Sequence, residues 1–210
     1  MKPDISEYYK GLLACAEEQA WASSEGAAER AVHVRALEMA FKLFGGTGVL
    51  ELCCGTGWIP LTLLFEVVYT GVDNNAEFLV LASDKNSVCR RFIQDDLRKV
   101  SIPWLEEHGV KEPDIVCCFA ALKHFGLHEW DAIFGHMLDL APTAVFDVQI
   151  TPRDVDDGKE FHHVSVTRER VGKLLADHGH GIFHEEKGFS GKLGDGVTPM
   201  SVKTLVTCRK

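Results

Sequence analysis

The sequence predicts an α/β domain: a mostly parallel sheet with helices on both faces, preceded by a helical segment. Two observations carry that expectation. From residue 46 onward, short apolar runs alternate with amphipathic segments of helical period, the succession that lays parallel strands beside crossover helices. The first of these runs, "VLELCCGTGWIP" at 49–60, ends on an acid and passes through a glycine-rich turn into a helix. In such a sheet, ligands bind at the carboxyl ends of the strands, where the chain reverses direction across it.

The elements follow in order. Residues 5–44 carry apolar positions at helical spacing, among them Leu12, Leu13, Trp21, Val32, Leu37, Ala40 and Phe41. "SSEG" at 23–26 divides this stretch into two helices, and Gly45-Gly46 ends the second. Strands are expected at 48–53, 68–72, 91–94, 114–119 and 143–149, with helices near 58–66, 75–86, 103–109 and 128–140. A helix at 167–178 and strands at 181–187 and 201–208 complete a sheet of seven, the last pair forming a reversed hairpin at one edge. Within the first turn, Gly55 and Gly57 let the backbone bend tightly and let a ligand approach without a Cβ in the way. Pro60 falls in the first helical turn, where its missing N–H costs nothing.

Composition excludes several classes. At 210 residues, with 46% hydrophobic and 25% charged residues, the chain has the profile of one soluble domain with a real core. A net charge of −9 opposes a long phosphate backbone as partner, so nucleic acid is not expected. "MKPDISEYYK" has no apolar core of the kind a secretory leader needs, and "WIPLTLLF" is too short to span a bilayer. Seven cysteines without extracellular hallmarks fit free thiols in a reducing compartment, the cytoplasm. No metal is expected. Neither C-x-x-C nor HExxH occurs, and Cys53-Cys54 and Cys117-Cys118 fall on strands whose successive residues point to opposite faces.

The turn itself narrows the ligand. A dinucleotide fingerprint needs a third small residue three positions after the second glycine, and here Pro60 stands there. A phosphate P-loop is ruled out because no GK[ST] follows a suitably placed glycine. A nucleoside-like ligand without a pyrophosphate remains. A carboxylate at the end of the second strand, Asp73, could accept both ribose hydroxyls. It lies 22 residues after Glu51, close to the roughly 20-residue spacing seen in nucleotide folds.

"VLELCCGTG" resembles the first motif of the class I S-adenosylmethionine-dependent methyltransferases, a Rossmann-like family, with Cys53 where that family often has its first glycine. "YTGVDNN" resembles the second motif, "FIQDDL" the third and "PDIVCCFAALKHF" the fourth, while "TRERVGKLLADHGHGIF" is similar to the family's late helix-to-strand segment. The resemblance covers residues 46 to 210. It implies a methyltransferase domain at 46–210 under an N-terminal helical lid at 1–45, with S-adenosylmethionine as cofactor and S-adenosylhomocysteine as product. The cofactor would be held by Glu51, Cys53, Gly55 and Gly57 of the first motif, Asp73 and Asn74 of the second, Asp96 or its neighbour Asp95 of the third, and Phe119 of the fourth. Glu51 would lie near the cationic methionine portion. His124, just beyond strand four, is the candidate general base, and His162 and His163, after strand five, are candidate substrate contacts.

The connection after strand five is short and no extra domain is present, which favours a small-molecule acceptor. "CFAALK" replaces the (D/N)PP(Y/F/W) signature of amide or base-amine methylation. A monomer or homodimer is expected. Two other classes share the fold, a nicotinamide-dependent oxidoreductase and a non-catalytic methyltransferase-like scaffold; Pro60 and Glu51 count against the first, the intact acids against the second.

Overall fold

The computed structural model describes residues 23–63, 66–86, 90–156, 158, 164–192 and 198–210. Helix α1 (Ser24–Phe44) opens on Ser23, whose side chain accepts from the Gly26 N–H at 3.1 Å, a side-chain cap that satisfies one of the first turn's orphan donors. The break expected at 23–26 is thus the start of a helix. The helix expected before it, with Leu12, Leu13 and Trp21, lies outside the described residues. Gly45 ends α1 at φ 72°, its N–H reaching back to the Phe41 carbonyl.

Strands and helices then alternate: β1 (Gly48–Leu52), α2 (Trp58–Thr62), β2 (Val68–Asp73), α3 (Ala76–Lys85), β3 (Arg90–Gln94), α4 (Ile102–Glu107), β4 (Ile115–Cys118), α5 (Leu127–Asp139) and β5 (Thr143–Ile150). After β5 come β6 (Val155–Asp156), β7 (Val164–Ser165), α6 (Arg168–Asp177), β8 (His180–Lys192) and β9 (Pro199–Arg209). The main sheet has seven strands in the order β3-β2-β1-β4-β5-β9-β8. Strands β1 to β5 are parallel; β9 runs antiparallel to both β5 and β8. The edge hairpin is as the sequence predicts. The connection after β5 is longer than expected, 17 residues between Ile150 and Arg168, and it holds β6 and β7 as a separate antiparallel ladder. Two residues per strand are too few to show an alternating pattern.

Strand alternation divides the core into two layers. Leu50, Leu52, Val116, Cys118, Ala144 and Phe146 face α5 and α6, packing on Trp130, Phe134 and Leu175. Val49, Ile115, Cys117 and Val145 face α1, packing on Ala36, Leu37 and Ala40. Cys117 and Cys118 therefore lie on opposite faces, and the five described cysteines are free. Burial pushes the Cys54 and Cys117 thiols well up, so they remain neutral. The buried side of α1, with Ala36, Leu37 and Ala40 fully enclosed, is part of the core itself. Its earlier residues, Arg30 and His33, reach the cleft. No helix among the described residues is long and apolar enough to cross a membrane.

From β1 the chain moves outward to β2 and β3, then returns to β4 on the other side of β1. The connections leaving β1 and β4 diverge there, opening a crevice at their carboxyl ends.

Candidate active site

The crevice is a cleft of about 210 Å³ built on the turn after β1. Three backbone features shape that turn. Cys53, Gly55 and Gly57 all adopt left-handed conformations, with φ of 57°, 53° and 72°. Cys53 therefore holds a conformation that glycine adopts at lower cost. The second non-glycine residue with positive φ among those described, Ala120 at 55°, sits just past β4 and also lines the cleft. Such backbone strain persists where the surroundings over-determine it, often at functional sites. Here the Asp147 carboxylate helps to hold Ala120, accepting its N–H at 2.7 Å.

Asp73 ties the turn to the end of β2. One carboxylate oxygen accepts the Gly55 N–H at 2.9 Å and the other accepts the Asn75 N–H at 2.9 Å. An ionised carboxylate has roughly four lone-pair sites, so its backbone donors leave capacity for a ligand. Desolvation raises the Asp73 pKa, and the backbone donors oppose that rise. Asn75 in turn caps α3 through its side-chain oxygen, which fixes the chain direction after Asp73.

Glu51 is buried beside this turn, and its carboxyl accepts the Tyr69 hydroxyl. Burial pushes its pKa up to about 8, with the Tyr69 hydrogen bond working the other way. Glu51 thus lines the cleft as a neutral acid at pH 7. A cation placed there would favour its ionised form.

Asp95 and Asp96 both line the cleft but differ in availability. Asp95 accepts the Trp104 indole N–H at 2.9 Å and pairs with Lys99 at 2.9 Å; these hydrogen bonds hold its carboxyl down at about 2. Asp96 caps the short 3-10 turn Leu97–Lys99 and pairs with Arg98 at 3.0 Å, leaving its side chain 35% exposed against 17% for Asp95. Asp96 is the freer of the two for a ligand.

Glu51, Cys53, Gly55, Asp73, Asn74, Asp95, Asp96, Phe119 and His124 all line the cleft. Gly57 does not. A Cβ there would meet the Ala82 Cβ at 2.9 Å, so its smallness serves the packing of the turn against α3. His124 sits in the 3-10 turn Leu122–His124 after β4. His162 and His163 lie outside the described residues.

Sequence reasoning missed Arg30, His33, Thr56 and Trp58, which also line the cleft. His33 stacks on Phe119 with ring centroids 4.3 Å apart, and the Arg30 guanidinium lies 4.6 Å over the Trp58 ring. Arg30 Nη1, Thr56 Oγ1 and Trp58 Nε1 are buried without a hydrogen-bond partner among the described residues. Buried donors are nearly always paired. Three orphans around one cleft suit a ligand bearing acceptor oxygens, as the carboxylate of an amino-acid group does. One sequence signal existed: His33 falls on the buried stripe 33, 36, 37 and 40 of α1, where a polar residue calls for a reason.

Sheet order, glycine turn and carboxylate at the end of β2 together define a Rossmann-like α/β fold. Residues 49–142 match the family model described as "Methyltransferase domain". No curated protein matches its sequence. Among solved structures it is similar to magnesium protoporphyrin IX methyltransferase from Synechocystis PCC 6803 with bound SAM, at TM-score 0.65 and 15% identity over 99% of this chain and 98% of that one. It is also similar to a SAM-dependent methyltransferase from Leishmania major, at TM-score 0.70 and 14% identity over 96% and 80% of the two chains. A third, a SAM-dependent methyltransferase from Clostridium acetobutylicum, gives 0.63 and 13% over 96% and 98%. At these identities the likeness is one of fold.

Proposed function

We propose that the protein transfers the methyl group of S-adenosylmethionine to a small-molecule acceptor. The observation that carries this reading is Asp73, fixed at the end of β2 with acceptor capacity to spare, opposite a turn with left-handed backbone at Cys53, Gly55 and Gly57. Asp73 takes the ribose hydroxyls and Asp96 the exocyclic amine of adenine. Arg30, Thr56 and Trp58 supply donors for the methionine carboxylate. The cofactor brings a sulfonium that is intrinsically a good leaving group. The chain's own residues hold donor and acceptor in line and exclude water. Residues of α1 beside the cleft, Arg30 and His33, form the inner side of the lid.

His124 is the base where the acceptor must lose a proton; a neutral imidazole suits that task near neutral pH. The magnesium protoporphyrin enzyme acts on a small molecule of its own, which agrees with a small acceptor here. A net charge of −9 makes nucleic acid a poor partner, and free thiols suit the cytoplasm. A monomer or homodimer fits this reading.

The test is transfer of labelled methyl from S-adenosylmethionine to a panel of small hydroxyl and amine acceptors. A methylated product with equimolar S-adenosylhomocysteine is expected. His124→Ala should slow single-turnover transfer by about 10²- to 10⁴-fold and leave affinity for S-adenosylhomocysteine unchanged. A mutant within a few-fold of wild type across pH would make His124 architectural.

A further inference from the structure

We propose that Glu29, His33 and Asp147 form a divalent-cation site beside the cleft, offering one imidazole nitrogen and two carboxylate oxygens to an ion of the Mn²⁺ or Zn²⁺ kind. Their ligating atoms all lie within 4.8 Å of one another. Glu29 and His33 stand one helical turn apart on α1, so they share a face. Asp147 comes from β5, far away in sequence, and its carboxylate is held in place by the Ala120 N–H at 2.7 Å.

A second observation points to a ligand. His33 is 1% exposed, and its Nδ1 is buried with no hydrogen-bond partner among the described residues. Its ring contact is the stack on Phe119, a residue of the cleft wall. Buried imidazole nitrogens are ordinarily bonded, and a metal ion is one of the partners a neutral imidazole takes. The mixed donor set matches ions that accept both imidazole and carboxylate. Donors sharing an ion at about 2.0–2.2 Å lie roughly 3.4 Å apart. The three side chains must therefore draw together slightly, and exposed Glu29 is free to do most of the moving.

One group opposes the ion. The Lys123 ammonium faces both His33 and Asp147 from the turn after β4. It either competes with a bound cation or replaces one, and the two cases are separable. Three protein ligands leave a coordination position open, the arrangement of catalytic sites. On the methyltransferase reading, that position takes an acceptor hydroxyl. The ion makes the hydroxyl more acidic, its proton leaves to His124 or water, and the oxygen lone pair attacks the methyl carbon. The carbon–sulfur bond then breaks with its electron pair kept on sulfur. The expectation of no metal rested on cysteine spacing and HExxH; a Glu-x-x-x-His pair with a distant Asp carries neither signature.

The test uses the full chain, freed of metal with chelator and titrated with MnCl₂ by calorimetry and electron paramagnetic resonance. Mn²⁺ is the probe because the free cysteines compete for softer ions. One ion per chain is expected in wild type. Glu29→Ala, at an exposed position, and Asp147→Asn should each weaken binding by more than about tenfold. Lys123→Met should tighten it, because a like charge is gone. No stoichiometric binding to wild type, or equal binding to the Glu29→Ala/Asp147→Asn double variant, overturns the site. Titrating S-adenosylhomocysteine into the same samples keeps the two readings apart. A protein that binds the ion but not the nucleoside retains the metal site and loses the methyltransferase reading.

Discussion

Asp73→Ala is expected to weaken affinity for S-adenosylhomocysteine by a factor on the order of 10² to 10⁴. The side chain is 8% exposed and already accepts the Gly55 and Asn75 N–H groups. Asp73 lines the cleft, where two ribose hydroxyls would each make a charged hydrogen bond of about 1.5–3 kcal/mol. Losing both gives that range of affinity. Alanine also removes the tie between the turn and β2, so part of the loss comes from a looser turn. Asp73→Asn is expected to fall between wild type and Asp73→Ala: its one carbonyl oxygen keeps only one of the two backbone ties and no longer serves both hydroxyls. Calorimetric titration beside a thermal melt checks the result. A folded Asp73→Ala protein with near-normal affinity would place the ribose elsewhere.

Stability should fall as pH rises from about 6.5 to 8, and Glu51→Gln should remove most of that fall. The folded Glu51 titrates at about 8, against an ordinary value of 4.5, because burial disfavours its charge. Between those values the folded state holds a proton that the unfolded chain has lost. Its stabilisation is therefore full at low pH and lost as pH climbs through the folded pKa. The slope is roughly 1 kcal/mol per pH unit. Asp147, raised to about 6 by burial, acts in the same direction at lower pH. His33, lowered to about 4 by burial, acts oppositely between about 4 and 6.5, since its folded form holds fewer protons. These two offset each other below pH 6.5, which leaves the upper window to Glu51. Glutamine keeps an acceptor for the Tyr69 hydroxyl without a charge to bury. Melts of both proteins from pH 6 to 8.5 decide the point; parallel curves would mean that Glu51 is ionised in the folded state.

The sheet could be read from the chain because each strand is a short apolar run closed by a turn, and each helix keeps its period. The order of the motifs pointed to Asp73, Asp96 and the glycine-rich turn, and the structure brings these acids and Gly55 to one cleft. What escaped has physical causes. The ladder of β6 and β7 is too short to have a period. Gly57 looked like a ligand contact, yet its missing Cβ makes room for Ala82. Glu51 was expected near the methionine portion, and only its enclosure in the fold reveals the burial that raises its pKa against the opposing Tyr69 hydrogen bond. Arg30 and His33 reach the cleft through the packing of α1 on the sheet, and that tertiary contact leaves no local motif.

The central claim is that the cleft at the ends of β1 and β4 takes the nucleoside of S-adenosylmethionine and not a dinucleotide. Calorimetric titration of the wild-type protein with S-adenosylhomocysteine, NAD and NADP tests it most directly. One molecule of S-adenosylhomocysteine should bind per chain, raising stability by about 2.7 kcal/mol at a hundredfold excess over the dissociation constant. The two dinucleotides should give no saturable heat. Saturable binding of NAD or NADP, with none for S-adenosylhomocysteine, would contradict the account.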